Sequence, residues 1–83
     1  MTVRLHPHAL DRMSERGTDA SEVIETVERG EQFPAKSRRI GFRRNFPFDG
    51  ERGGKRYSTK QIEAYAVREG DDWLVITVIA KFF

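Results

Sequence analysis

Residues 61–83 read QIEAYAVREGDDWLVITVIAKFF, and this stretch decides the fold. QIEAYAVRE, then GDD, then WLVITVIAKFF has the form of an antiparallel hairpin closing the chain. From Leu74 to Ala80 the second run is apolar at both parities. Such a strand is expected to be covered on both faces, as an inner strand under helices on one side and closed off on the other. Thr77 then falls in the interior, where its hydroxyl is expected to bond to a neighbour.

The segments before the hairpin supply the helices. In HPHALDRMSERG, residues 6–17, Pro7 suits the first helical position and Gly17 the stop, so the helix is expected from Pro7 to Arg16. Ala9, Leu10 and Met13, with Leu5 just before, gather on one side, while Asp11, Ser14 and Glu15 point to water. Asp19 followed by Glu22 resembles a capping box. Ala20, Val23, Ile24 and Val27 recur at helical spacing and Gly30 ends the run, giving a second helix. EQFPAK and RRIGFRRNF read as short strands. The second alternates Ile40, Phe42, Arg44 and Phe46 against Arg39, Gly41, Arg43 and Asn45, so cations fall on both faces. PFDGERGGKR reads as a Gly-rich turn region. The expected fold is one α+β domain over residues 1–83, a two-helix hairpin packed on a twisted antiparallel sheet of about four strands. Function is expected on the other, partly concave face.

Eighty-three residues make a small domain with a thin core, since a chain of this size buries only roughly 60% of its unfolded surface. Cysteine is absent, which removes disulfides, thiolate chemistry and Cys-based zinc sites and fits a reducing cytoplasm. MTVRLHPHAL holds no apolar run of signal-peptide length, and no later segment reaches the roughly 18 apolar residues of a membrane span. A soluble, cytoplasmic protein without membrane contact is expected.

The net charge of +2 is unevenly spread. Residues 1–35 sum to −3, residues 36–60 to +7 and residues 61–83 to −2. The basic segment is KSRRIGFRRNFPFDGERGGKRYSTK, and six of its nine cations are Arg, whose planar fork suits phosphate oxygens. Phe42, Phe46, Phe48 and Tyr57 lie among them. Interleaved Arg and aromatics suit single-stranded nucleic acid, whose backbone takes cations and whose unstacked bases take flat apolar faces. The alternative is a hairpin whose aromatics face the core and whose Arg residues face water. The first reading makes Arg38, Arg39, Arg43, Arg44, Lys55, Arg56 and Lys60 a basic, nucleic-acid-binding concave face.

His8, Arg12 and Arg16 stand at four-residue intervals, a stripe that drifts by about 40° per step along a helix. As a site, His8 in the first turn would be kept neutral by the helix dipole and serve as a base, with the two Arg on phosphate oxygens. As structure, the stripe would tie the helices to the sheet, with Arg16, close to the middle of the apolar arc, bonding to carbonyls beneath it. His6-x-His8 makes a poor metal pair, because Pro7 puts the two on different local geometries and no further ligand sits at the right spacing. Neither metal nor cofactor is expected. Glu22, Glu25 and Glu28 form an acidic helical face, read as solvated or as docking a basic partner. Phe82 and Phe83 either end the core strand or form an exposed edge on which a second copy or an antitoxin strand could add.

HPHALDRMSERG, the capped helix ending in Gly30, the basic hairpin, KQIEAYAV and LVITVIAKFF together resemble a small bacterial and archaeal domain family of unassigned function. Its members carry H-x3-R-[MLI]-x2-R-G near the start and an I-T-V core in the last strand. That family is grouped with the RelE/ParE and BrnT-like toxin superfamily, in which a helical hairpin packs on an antiparallel sheet and many members cleave messenger RNA. The resemblance spans nearly the whole chain and places the family's motif positions at His8, Arg12, Arg16, Gly17 and Thr77. Many relatives have Tyr soon after that Thr; here Ile79 and Ala80 follow, which weakens the inference of a C-terminal catalytic Tyr. Other members of the superfamily act on gyrase, so the fold alone does not select the chemistry.

The expectation is a RelE-like toxin-type protein that cleaves RNA without a metal, free or on the ribosome, with an antitoxin as partner. His8, Arg12 and Arg16 would be its catalytic residues, and Tyr57, Tyr65 or Lys81 the candidates should His8 not be the base. The alternative is a non-catalytic nucleic-acid or protein-binding module of the same fold.

Overall fold

The computed structural model describes residues 2–83. The elements follow in the order β1 (Val3–Leu5), α1 (Pro7–Arg16), α2 (Ala20–Arg29), β2 (Glu31–Pro34), β3 (Ile40–Arg52), β4 (Lys55–Glu69) and β5 (Asp72–Phe82). They make an α+β fold, two helices on one face of a five-stranded sheet ordered β1-β5-β4-β3-β2. All neighbours are antiparallel except β1, which pairs parallel to β5 through Val3↔Trp73, Arg4↔Leu74 and Leu5↔Val75. This strand makes the sheet five-stranded rather than four. Three residues are too short for alternation to reveal; β1 is held by its pairing, extended by the bonds Trp73 N–H to Thr2 O and His6 N–H to Val75 O, each 2.9 Å.

Local chemistry sets the helix ends. Pro7 opens α1, and His6 caps it with a ring nitrogen, Nδ1 accepting the His8 backbone N–H at 3.1 Å. That bond engages a nitrogen the His-x-His reading would have offered to a metal. Gly17 closes α1 at φ 75°, a left-handed cap favoured by glycine, with its N–H bonded to the Met13 carbonyl. Asp19 caps α2 by accepting the Glu22 N–H at 2.9 Å. The Glu22 carboxylate does not reach back to complete a capping box; it accepts from Thr18 Oγ1 at 2.9 Å and pairs with Lys60.

The hairpin β3–β4 is longer than its sequence suggests. PFDGER continues β3 across a bulge between Pro47 and Gly50, Lys55 already begins β4, and the turn is only Gly53–Gly54.

The core is a single cluster of Ala9 and Met13 of α1, Val23 and Val27 of α2, and Phe42, Ile62, Ala64, Ala66, Trp73, Val75 and Val78 of the sheet. Phe42 meets Trp73 edge-on at 5.0 Å between centroids. On β5 the inward residues are Trp73 and Val75 before a bulge and Val78 and Ala80 after it, because the pairing steps from Ala66↔Val75 to Tyr65↔Thr77 and leaves Ile76 extra. This switch of parity explains why Leu74–Ala80 is apolar at both parities. The strand is inner, but only one of its faces is covered by helices. Thr77 accordingly lies half-buried on the uncovered face, and its hydroxyl makes no hydrogen bond among the described residues.

Both helices touch the sheet along narrower stripes than expected. Leu10 is 50% exposed and Ala20 is exposed, while Thr26 is fully buried and bonds its hydroxyl to the Glu22 carbonyl at 2.8 Å. Arg16 is exposed rather than projecting into the apolar arc. Carbonyl bonding at this end of α1 comes instead from Arg52 of β3, which donates to Glu15 O at 2.8 Å and stacks on Phe82.

Candidate functional site

Strand alternation sorts the basic segment. Arg44 and Lys60 fall on the helix-covered face, with Phe42 and Ile62. Arg44 pairs with Glu25 at 2.8 Å, and Lys60, only 9% exposed, pairs with Glu22 at 2.7 Å and donates to Gly17 O at 3.0 Å. These two cations bind α2 to the sheet, so their expected place on a nucleic-acid face is corrected. The acidic helical face is corrected with them: Glu22 and Glu25 are partners of the sheet, and Glu28 alone of the three is exposed. Lys55 and Arg56 lie at the far end of the β3–β4 hairpin, Arg56 paired with Asp49 at 3.3 Å, and Arg38 is exposed in the loop before β3. Of the seven, Arg39 and Arg43 border the open face, and Arg44, though paired with Glu25, also lines a groove beside Arg43.

The stripe His8, Arg12, Arg16 exists but lies within the helix layer. His8 and Arg16 are exposed without side-chain hydrogen bonds among the described residues, and Arg12 is turned to Glu15 at 3.1 Å. The stripe neither ties α1 to the sheet nor shares a face with the other candidates.

The open face brings together a different set. Register lines its side chains up in rows: Phe33, Gly41, Tyr65 and Thr77; then Glu31, Arg43, Glu63 and Ile79; then Asn45, Gln61 and Lys81. Glu63 is 6% exposed and is the hub. One carboxylate oxygen accepts the Tyr65 hydroxyl at 2.9 Å; the other accepts Lys81 Nζ at 3.3 Å and lies 3.8 Å from Arg43 Nε. That Nε is buried with no hydrogen-bond partner. Two cations thus share one carboxylate in contact with them, while Glu31, opposite Arg43 in the same row, is exposed and makes no ion pair among the described residues. Burial pushes the Tyr65 phenol above its usual range, and its bond to the Glu63 carboxylate and the negative charge there push the same way, against a smaller downward pull from Arg43.

Two grooves flank this cluster. One, of about 460 Å³, lies on the Tyr65 side between Phe33, Thr77 and the loop carrying Lys36, Ser37 and Arg39. The other, of about 480 Å³, lies on the opposite side among Arg29, Glu31, Arg43, Arg44, Asn45 and Gln61. Phe33 reaches across the sheet because Gly41, directly opposite, has no side chain; a Cβ there would collide with the Phe33 ring. The Arg43 guanidinium stands 4.4 Å from the centre of that ring, and Tyr65 meets it edge-on at 5.9 Å.

Glu63 and Phe33 were not among the expected site residues. The signal for Glu63 is an acid in the middle of an otherwise well-formed strand, flanked by Ile62 and Ala64, and for Phe33 it is a glycine inside the neighbouring strand. Among the described residues no three His, Cys, Asp or Glu side chains gather to hold a metal, and no helix is long and apolar enough to cross a membrane.

No curated protein and no solved structure matches this chain. A family model does match, over residues 5–80. The chain belongs to the family described as a domain of unknown function, DUF4258.

Proposed function

We propose that this protein acts on RNA as a metal-independent endoribonuclease of the RelE kind, with its reacting groups on the open face rather than on α1. The observation that carries this reading is the shared carboxylate. Arg43 and Lys81 have one ion-pair partner between them, Glu63, on a face no other layer covers, which leaves N–H donors on both free for a phosphate.

RNA carries its own nucleophile, so the site has three tasks: to take the 2′-hydroxyl proton, to stabilise charge on the phosphoryl group, and to protonate the leaving oxygen. Tyr65 donates its proton to Glu63 and keeps lone pairs free on the same oxygen. As the 2′-oxygen bonds to phosphorus, its proton passes to Tyr65 and the Tyr65 proton to Glu63. Arg43 stabilises the phosphoryl oxygens. The bond from phosphorus to the 5′-oxygen breaks, and that oxygen takes a proton from Lys81. The products are a 2′,3′-cyclic phosphate and a 5′-hydroxyl. Glu63 then returns a proton to Lys81, to which it is hydrogen-bonded.

The test is cleavage of single-stranded RNA in a chelator, with and without ribosomes, by the parent and by Tyr65→Phe. The parent is expected to leave cyclic phosphate ends, and Tyr65→Phe to be slower by roughly 10²-fold to 10⁴-fold, the range for loss of a general base or acid. His8→Ala is expected to cleave at the parental rate. Absence of cleavage, together with normal growth on expression of the chain without an antitoxin, removes the enzyme reading and leaves a binding module.

A further inference from the structure

We infer that the groove on the Tyr65 side of the cluster is a nucleobase subsite, holding the base next to the phosphate that Arg43 and Lys81 would take; this rests on the open-face reading of RNA action. Three features of the groove fit a nucleotide together. Its wall is aromatic, Phe33 and Tyr65 meeting edge-on with rings 5.9 Å apart, and flat heterocycles bind well to such a wall. It offers two hydroxyls, Ser37 and Thr77, which both donate and accept, as the edge of a base requires. Its charged lining groups are Lys36 and Arg39, both cations, which suit the phosphates on either side of a base and disfavour a cationic occupant.

The volume, about 460 Å³, lies within the ordinary range for small-molecule sites and leaves room for one base with part of its sugar. The Phe33–Gly41–Tyr65–Thr77 row borders the Arg43–Glu63 row directly, so a base in the groove and a phosphate on Arg43 stand one strand-residue pair apart. Gly41 is what opens the groove. Any side chain there would displace Phe33 from its position across the sheet.

The experiment uses a fluorescent single-stranded oligonucleotide with 2′-O-methyl sugars, which cannot be cleaved by its own 2′-oxygen, and the same strand with abasic positions. Binding is read by anisotropy. The base-bearing strand is expected to bind roughly 5-fold to 100-fold tighter than the abasic one, the range for stacking of a base on aromatic side chains. Phe33→Leu is expected to erase most of that difference, weakening the base-bearing strand far more than the abasic one, whose affinity falls only by what the Arg43–Phe33 stack contributes. Fluorescence of Trp73, buried on the other face, reports whether each variant is folded. If Phe33→Leu does not fold, Thr77→Val serves instead, with a loss confined again to the base-bearing strand. Equal affinity for the two strands, or equal weakening of both by a folded variant, overturns the subsite. The two proposals fail separately: cleavage by the parent with base-independent binding removes the subsite and keeps the reaction. Base-dependent binding without cleavage of any RNA keeps the subsite and removes the reaction.

Discussion

On the covered face Lys60 and Arg44 each have a carboxylate of their own, whereas on the open face two cations share one. Lys60 is matched by Glu22 and Arg44 by Glu25, both reaching down from α2. Arg43 and Lys81 divide Glu63 between them. Arg43 and Arg44 are adjacent in sequence, so composition cannot tell them apart. The alternation of a strand sends one to a helix and the other to an uncovered surface. The difference teaches that a basic segment in a β-hairpin is not one surface. Charge that is balanced pair by pair holds elements together, and cations that share one partner keep donors available to a ligand.

The largest expected effect is on the open face, the 10²-fold to 10⁴-fold loss of cleavage in Tyr65→Phe read from initial rates. Next is the covered face. Glu22→Gln leaves the Lys60 ammonium nearly buried without its counter-charge, and is expected to cost about 3 kcal/mol, a fall in Tm of about 12–24 °C by thermal unfolding. RNA affinity should not change at a temperature where the variant is folded. A loss of affinity there would break the division between the faces.

Salt dependence sharpens the same division. If Lys36, Arg39, Arg43 and Lys81 are the cations that meet phosphate, the slope of log K against log salt is about −3 for a single strand. Affinity then falls about 50-fold between 50 and 200 mM salt. A slope near −6, within reach of the nine cations of residues 36–60, would bring the hairpin end back into the interface.

The smallest effect is spectroscopic. In a Tyr57→Phe background the phenolate absorbance reports Tyr65 alone, and its midpoint is expected above 10. Because the folded phenol holds its proton more tightly than the unfolded one, this group's contribution to stability is full below pH 10 and declines as the pH rises through the folded midpoint. Glu63→Gln should lower the midpoint only in part, since burial is the largest cause of the shift. A midpoint below 10 in the folded chain would remove the Tyr65–Glu63 bond as described.

Much of the architecture was legible because its signals are local. Pro7 and Gly17 bound α1, Asp19 and Gly30 bound α2, and GDD sits at the turn into β5. What was not legible depends on pairing. The bulge at Ile76 switches the inward parity of β5, which in one dimension looks like a strand buried on both faces. The short β1 has no pattern until β5 is beside it. The site follows the same rule. The order of helices and strands shows that one face of the sheet has no helix on it, but not which side chains meet there, whereas His8, Arg12 and Arg16 stand out by spacing alone. Glu63 is a single acid in an ordinary strand. Its importance comes from Arg43 on one neighbouring strand and Lys81 on the other, a relation that register alone creates.

The most direct test sets the two adjacent arginines against each other. Arg43→Gln and Arg44→Gln remove the same charge one residue apart, and each variant is assayed for RNA cleavage and thermal unfolding. The account predicts a crossed result. Arg43→Gln loses most cleavage with a nearly parental Tm, while Arg44→Gln keeps cleavage and loses about 1 kcal/mol of stability, or about 4–8 °C. Equal loss of cleavage in both variants, or an unfolding penalty that follows Arg43 instead of Arg44, would contradict it.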